Sequence, residues 1–253
     1  MAGWDDVPHL SEKAKAELLA STPPHLRDAR SKGIPAMGSG RIFTTDENAL
    51  KVAPFPIPAY WPRLAALDFG WNHPTAAVWL AFDMDTDTIY VTDTHREAEM
   101  TVPLHASAIR RRGAWIPCAW PHDGLQHDKH AGEQLAEQYR QEGVNMLAEM
   151  ARYPEGHKVN GTSIASRTSV EAGIWDMQTR MEQGRLKVFA NQDKWFEEYR
   201  LYYREDGVIV KLFDDLLSAT RYGVMMKRFA IVEPQPKRLR DDKARRSANS
   251  WKV

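Results

Sequence analysis

Apolar residues first fall into a regular pattern just after residue 62. A run over 64–67 ends in Asp68 and Gly70, and a second apolar run follows over 76–82. Short apolar runs bounded by turn residues predict buried strands. We therefore expect strands over 64–69, 76–83 and 88–93. Their short connections favour antiparallel pairing between consecutive strands.

Helical and extended patterns alternate through the rest of the chain. Helices are predicted over 102–112, 130–141, 168–184, 195–203 and 214–229. Further strands are predicted over 115–120, 145–150 and 207–210, and residues 186–190 are expected to form an edge strand or an extended segment. Such an alternation predicts an α/β fold, in which one sheet carries helices on both faces.

Three segments of the chain differ in composition. Residues 1–62 contain many prolines and glycines and few apolar residues, which predicts a linker or the tail of a preceding domain. Residues 63–233 contain the alternating strands and helices and predict the folded domain. Residues 234–253 are rich in basic side chains, and we expect a disordered basic arm there.

Composition excludes several classes of protein. The 253 residues include 34 Lys and Arg, 34 Asp and Glu, and one cysteine, Cys118. One cysteine cannot form an internal disulfide or a cysteine-rich zinc site. A signal-peptide pattern is absent, and no apolar stretch approaches the ~18 residues of a membrane span. We expect a cytoplasmic protein in which DNA binding requires a local basic patch, or metal ions between clustered acids.

Four aspartates occupy positions where a carboxylate is costly unless it is paired. Asp68 ends the first strand, Asp123 follows the strand over 115–120, and Asp214 and Asp215 open the last helix. If the first and fourth strands are neighbours, their ends meet at one crevice. Clustered carboxylates suit Mg²⁺ or Mn²⁺, and two such ions about 4 Å apart can promote phosphodiester hydrolysis. Each acid also has a simpler explanation, as a turn residue or a helix cap.

These spaced motifs resemble those of a known family. Leu67-Asp68-Phe69-Gly70, His122-Asp123-Gly124 and Asp214-Asp215-Leu216-Leu217 are similar to motifs in the nuclease domain of the large terminase subunit of tailed bacteriophages. The segments 3–10 and 23–35 look like the end of that subunit's ATPase motor. The resemblance implies a ribonuclease H-like mixed sheet, and an endonuclease that cuts concatemeric viral double-stranded DNA during packaging.

The same resemblance implies roles for residues and partners. Asp68, Asp123 and Asp215 would be catalytic ligands of two Mg²⁺ or Mn²⁺ ions, with Asp214 as a further metal ligand. The implied partners are double-stranded DNA, the portal protein, the small terminase subunit and the motor domain, at the procapsid portal in the host-cell cytoplasm. No phosphate-loop motif occurs, so we expect no ATPase site, and either a fragment of a longer subunit or a separately encoded nuclease.

Candidate DNA contacts and two alternative functions complete the prediction. The nominated side chains are Arg110, Arg111, Arg112, Lys129, Arg167 and His122. Phosphate contacts of this kind would be sensitive to salt, whereas a solvated basic surface is the simpler explanation of each. The alternatives are another ribonuclease H-like nuclease, of the resolvase or transposase type, and a non-catalytic packaging module whose acids are structural.

Overall fold

The computed structural model describes residues 11, 13–15, 31, 40–70, 73–121 and 135–234. Its strands are β1 (Lys51–Val52), β2 (Arg63–Asp68), β3 (Thr75–Asp83), β4 (Thr88–Glu97), β5 (Cys118–Ala119), β6 (Lys158–Val159), β7 (Thr162–Ser163), β8 (Leu186–Phe189), β9 (Arg204–Glu205) and β10 (Val208–Ile209). Its α-helices are α1 (Glu47–Leu50), α2 (Val102–Arg110), α3 (Leu135–Gln141), α4 (Val170–Glu182), α5 (Asp193–Leu201) and α6 (Asp215–Met225). Among these residues, no helix has both the length and the apolar character needed to cross a bilayer.

A six-stranded mixed sheet, in the order β1-β8-β4-β3-β2-β5, forms the centre of the fold. β2, β3 and β4 pair antiparallel, as the pattern of short connections predicts. β5 runs parallel to β2, while β8 runs parallel to both β4 and β1. The predicted α/β fold is confirmed. The edge position predicted for residues 186–190 is wrong, because β1 pairs with β8 on its outer side.

Residues before position 63 contribute to this sheet and its core. Lys51 of β1 is paired with Val188 of β8, and the side chains of Phe43 and Leu50 are fully buried. The Phe43 ring also stacks on Tyr199, with 5.8 Å between the ring centroids. The division of the chain at residue 62 stays a prediction about domains, while the sheet draws on residues from both sides of it.

Two predicted strands are much shorter in the structure. The segment 115–120 contributes only the two residues of β5, because residues 113–116 form a turn in which Ile116 N–H donates to the carbonyl of Gly113 at 3.0 Å. In the segment 145–150, Met146 makes a single parallel bridge to Cys118. Both segments are buried for part of their length, and burial alone does not distinguish a strand from a packed loop.

Alternation along β2 gives the sheet two buried faces. Leu64 and Ala66 join the cluster formed with α4, α5 and α6, whereas Ala65 and Leu67 join the cluster formed with α2 and α3. Side chains two positions apart on a strand lie on the same face. Asp68 therefore belongs to the face covered by α6.

Helix α6 crosses β2 and β3 at close range because Gly223 has no side chain. A Cβ atom at this position would lie 2.3 Å from Leu80 Cδ1 and 3.4 Å from Ala66 Cβ. Farther along the helix, Trp195 Nε1 donates a buried hydrogen bond to Thr220 Oγ1 at 3.0 Å. These contacts hold α6, and therefore the acids at its N-terminus, against β2.

We expect Gly223→Ala to lower the free energy of unfolding by about 1–3 kcal/mol. The added methyl group overlaps Leu80 in a filled core, and this cost exceeds the gain of about 1 kcal/mol in helix propensity. Urea denaturation measures the change. When Leu80→Ala is added, the double variant should lose less free energy of unfolding than the two single variants lose together, because the overlap is removed. A Gly223→Ala protein as stable as the parent would contradict the close contact.

Candidate active site

Three of the four predicted acids line one cavity of about 640 Å³, namely Asp68, Asp214 and Asp215. Asp68 is the last residue of β2, and Asp215 is the first residue of α6. Because α6 packs across β2 on the face to which Asp68 belongs, the strand end and the helix start meet. The structure thus brings together acids that are far apart in the sequence.

Asp123, His122 and Lys129 lie outside the described residues. β5 runs parallel to β2, with Ala119 opposite Ala66, so the two strands end at the same edge of the sheet. The first and fourth predicted strands are therefore neighbours, which is the condition for Asp68 and Asp123 to meet. The placement of Asp123 itself stays a prediction.

A tight turn follows Asp68 and is held by Thr75. Gly70 N–H donates to Thr75 Oγ1 at 3.1 Å, and Thr75 Oγ1 donates to the Gly70 carbonyl at 2.8 Å. A Cβ atom at position 70 would lie 2.3 Å from the His73 carbonyl oxygen. Only glycine fits there without moving the turn, and His73 lines the cavity.

The first turn of α6 is capped by a residue of another helix. Asp214 is the N-cap residue, but its side chain makes no capping hydrogen bond. The amides of Leu216 and Leu217 instead donate to Glu198 Oε2, at 2.7 and 3.1 Å. The Asp214 carboxylate is left to line the cavity, where Ser218 Oγ donates to it at 3.4 Å.

Arg96, near the end of β4, lies between two of these acids. Its Nε atom is 3.1 Å from Glu198 Oε1 and 3.4 Å from Asp215 Oδ2. Both distances are those of ion pairs. Neither Arg96 Nε nor Glu198 Oε1 makes a hydrogen bond with acceptable geometry among the described residues. The Phe213 ring covers the guanidinium, with 5.9 Å between Arg96 Cζ and the ring centroid. The backbone of Phe213 has a φ of 56°, which is uncommon for an aromatic residue.

The electrostatics of the cavity disfavour uncompensated carboxylates. Burial raises the pKa of Asp214, and the negative charge of Asp215 raises it further, against the effect of Arg221. Burial also raises the pKa of Asp215, while Arg96 opposes this. Burial likewise raises the pKa of Glu198, to about 8, and Arg96 again opposes the shift. A proton or a cation at these acids is therefore favoured.

The donor set fits a divalent cation, although the described residues do not form a complete site. Within the described ranges, no group of three His, Cys, Asp or Glu side chains has the arrangement to hold a metal ion. Carboxylate oxygens are the ligands that Mg²⁺ prefers, and this ion usually keeps several waters. The pKa values of Asp214 and Asp215 are raised, so their charged forms are disfavoured in this cavity. A bound cation would stabilise these charged forms.

The described members of the nominated DNA-contact set lie outside the lining of this cavity. Arg110 and Arg111 are exposed at the end of α2, which covers the other face of the sheet. Arg112 forms an ion pair with Asp93. Arg167 donates from Nε to the Tyr153 carbonyl at 2.7 Å. A role of these residues in DNA binding stays a prediction.

Four residues that lie in or beside the cavity are not among the predicted site residues, namely Arg96, Glu198, Lys211 and Arg221. One signal for Glu198 was available, since it follows Trp195 by three positions and so lies on the buried face of α5. An acid on an apolar helix face requires a partner. Arg96 lies in the part of β4 where burial no longer alternates, so the local pattern carries no signal.

Comparisons with known proteins agree with this architecture. A family model described as the terminase RNaseH-like domain matches residues 65–227. The chain is 43% identical over 240 residues to the large terminase subunit of Salmonella phage P22, an alignment that covers 92% of this chain and 46% of that protein. The chain thus spans about half the length of the curated relatives it matches.

Solved structures show the same similarity. The nuclease domain of the P22 large terminase superposes with a TM-score of 0.68 and 44% identity, over 77% of this chain and 96% of that one. The nuclease domain of the large terminase from bacteriophage SPP1, solved with bound Mn, has a TM-score of 0.50 at 15% identity, over 70% and 94% of the two chains, and shares the fold. The resemblance inferred from the spaced motifs is therefore confirmed, and the chain belongs to the family of terminase ribonuclease H-like domains.

Proposed function

We propose that this chain is a metal-dependent endonuclease that cuts concatemeric viral double-stranded DNA during genome packaging. The observation that carries the proposal is the meeting of Asp68, Asp214 and Asp215 in one cavity beside the end of β2. Membership of the terminase family supports it, as does the Mn bound to the SPP1 nuclease domain. In this proposal, two Mg²⁺ or Mn²⁺ ions are held by Asp68, Asp123 and Asp215, with Asp214 as a further ligand.

The bound ions would activate a water molecule and stabilise the leaving oxygen of the phosphodiester. The chain's own residues would orient these ions and the DNA. Lys211 and Arg221 also line the cavity, and their positive charges would attract a DNA phosphate to the acids. Arg110 and Arg111, on the other face of the sheet, would act only on DNA beyond the reacting bond.

The partners and the location belong to the same proposal. Because the curated relatives are about twice as long as this chain, we propose that it works with an ATPase motor domain, whether in one polypeptide or in two. The portal protein and the small terminase subunit would be its other partners, at the procapsid portal in the host-cell cytoplasm. Residues 234–253 are rich in basic side chains, and in this proposal they would bind one of these partners or DNA.

A non-catalytic packaging module is the second candidate. The ion pair between Arg96 and Asp215 favours it, because the fold compensates part of the acidic charge without a metal. In this case Asp68 and Asp215 would be structural, and their replacement would leave DNA handling unchanged. The resolvase or transposase alternative is not favoured, since the family match is to terminases.

Substitution of the proposed ligands tests the two candidates directly. We expect Asp68→Asn and Asp215→Asn each to reduce Mn²⁺-dependent nicking of supercoiled plasmid by at least about 100-fold, because each removes a ligand from ions that supply several kcal/mol of transition-state stabilisation. EDTA should abolish the activity of the parent protein. Asp206→Asn is the matched control, since Asp206 is exposed in the turn between β9 and β10 and has a φ of 47°, which Asn tolerates. No metal-dependent cleavage by the folded parent protein, together with unchanged DNA handling by the Asp68→Asn protein, would leave the packaging module as the function.

The affinity for Mn²⁺ is expected to fall as the pH is lowered from 8 towards 5. Metal binding requires the charged carboxylates, and the raised pKa values of Asp214 and Asp215 move their protonation to a higher pH than that of an ordinary aspartate. Calorimetric titration across this range measures the trend. Asp214→Asn should make the dependence shallower, whereas Asp206→Asn should leave it unchanged. A pH-independent affinity would exclude these acids as ligands.

In EDTA, Asp214→Asn is expected to raise the melting temperature. The pKa of Asp214 is higher in the folded state than in the unfolded chain. The metal-free fold therefore loses stability as the pH rises from the unfolded-state pKa through the folded-state pKa. An amide carries no charge to bury and still accepts from Ser218. Thermal denaturation at pH 7.5 checks the sign, and added Mn²⁺ should stabilise the parent more than the variant. A lower melting temperature for the variant in EDTA would show that Asp214 is well compensated without metal.

A further inference from the structure

We propose that Glu198 and Arg96 set the affinity of the cavity for a divalent cation, because Glu198 holds the first turn of α6 and competes with Asp215 for the charge of Arg96. The inference rests on the proposed metal-dependent function and assigns a role to two residues outside the four proposed metal ligands. Both are positioning residues, since they would act through Asp214 and Asp215.

The partners of Glu198 connect it to the cavity. Its side chain has no exposed surface, and a buried carboxylate is costly unless its oxygens are satisfied. One oxygen accepts from the two amides of α6, and the other faces Arg96 at 3.1 Å. Every polar contact of Glu198 is therefore to an element that carries or faces Asp215.

Glu198 also replaces the ordinary helix cap of α6. An aspartate at the N-cap position usually accepts from the amides of the first turn, but the side chain of Asp214 does not. Because Glu198 takes those amides, the Asp214 carboxylate can line the cavity. The remote cap thus makes a second acid available at the start of α6.

Glu198 and Asp215 compete for the charge of Arg96. A guanidinium is charged at every accessible pH, so Arg96 competes with any cation that approaches Asp215, from which it is separated by 3.4 Å. Glu198 is closer to the same Nε atom, at 3.1 Å. Arg96 therefore interacts with both carboxylates, and the negative charge of Glu198 weakens the ion pair between Arg96 and Asp215.

Loss of Glu198 and loss of Arg96 are therefore expected to change the metal affinity in opposite directions. Without the charge of Glu198, Arg96 pairs with Asp215 alone, and metal affinity falls. Without Arg96, no guanidinium competes with the metal ion for Asp215, and the charges of Asp214 and Asp215 repel each other more strongly. The metal affinity therefore rises. A purely structural ion pair would instead lower affinity in both cases, because either loss would loosen the site.

Titration of the full chain with Mn²⁺, followed by electron paramagnetic resonance, tests the inference. The buffer is at pH 8.5 without oxygen, above the pKa of about 8 to which burial raises Glu198. We expect Glu198→Gln to raise the Kd for Mn²⁺ about tenfold, the size of effect that coupled neighbours produce. Arg96→Gln should lower the Kd several-fold. In the Arg96→Gln background, adding Glu198→Gln should change the Kd by less than about threefold, because the effect of Glu198 passes largely through Arg96.

Glu197→Gln is the matched control. Glu197 is the neighbouring acid, its Oε2 atom is 3.8 Å from Arg96 Nη1, and its side chain is 52% exposed. We expect this substitution to leave the Kd within about twofold of the parent value, because exposed ion pairs contribute little. Circular dichroism and melting temperatures establish that each variant is folded. If Glu198→Gln does not fold, Arg96→Gln alone tests the inference, because a Kd for Mn²⁺ equal to or above the parent value would overturn it.

The outcomes separate this inference from the proposed function. A parent-like Kd for Glu198→Gln, or an equal loss with and without Arg96, overturns the inference even if the parent cuts DNA. A parent protein that binds Mn²⁺ through Asp215 but cuts no DNA defeats the endonuclease proposal alone. A parent protein that binds no Mn²⁺ overturns both the inference and the metal-dependent mechanism.

Discussion

The close packing of α6 against β2 and β3 is the contact on which the rest of the site depends. Gly223 lets the helix approach until Leu80 and Ala66 fill the space that a side chain would occupy. The approach carries the N-terminus of α6 over the end of β2, where Asp68 is located. Acids from the two elements therefore share one cavity, and the spacing between them is set by the apolar packing of the sheet-facing side of the helix.

Acids in a partly buried cavity carry an electrostatic cost, and few positively charged groups of the fold compensate it. Burial and mutual repulsion raise the pKa of Asp214, whereas Arg96 compensates part of the charge of Asp215. The compensation is incomplete, which is a common property of functional sites. Glu198 adds a further acid to this environment, but it caps α6, so the local cost is linked to the position of the helix.

Elements with a strong and extended pattern could be predicted from sequence, and elements defined by distant partners could not. β2, β3 and β4 have apolar runs and short connections, and α6 begins at an acid pair, so both the strands and the acid positions were predicted. β1 has only two residues and shows no alternation, which is why β8 was assigned to an edge. Arg96 and Glu198 meet through tertiary packing, and no local pattern in the sequence indicates that contact.

The alternation of faces along β2 constrains how this family can vary. Ala66 contacts the core beneath α6, and Asp68 shares its face because it lies two positions later. An insertion or deletion of one residue between them would turn the carboxylate towards α2 and α3 and leave the cavity without it. This strand end can therefore lengthen or shorten only in steps of two residues.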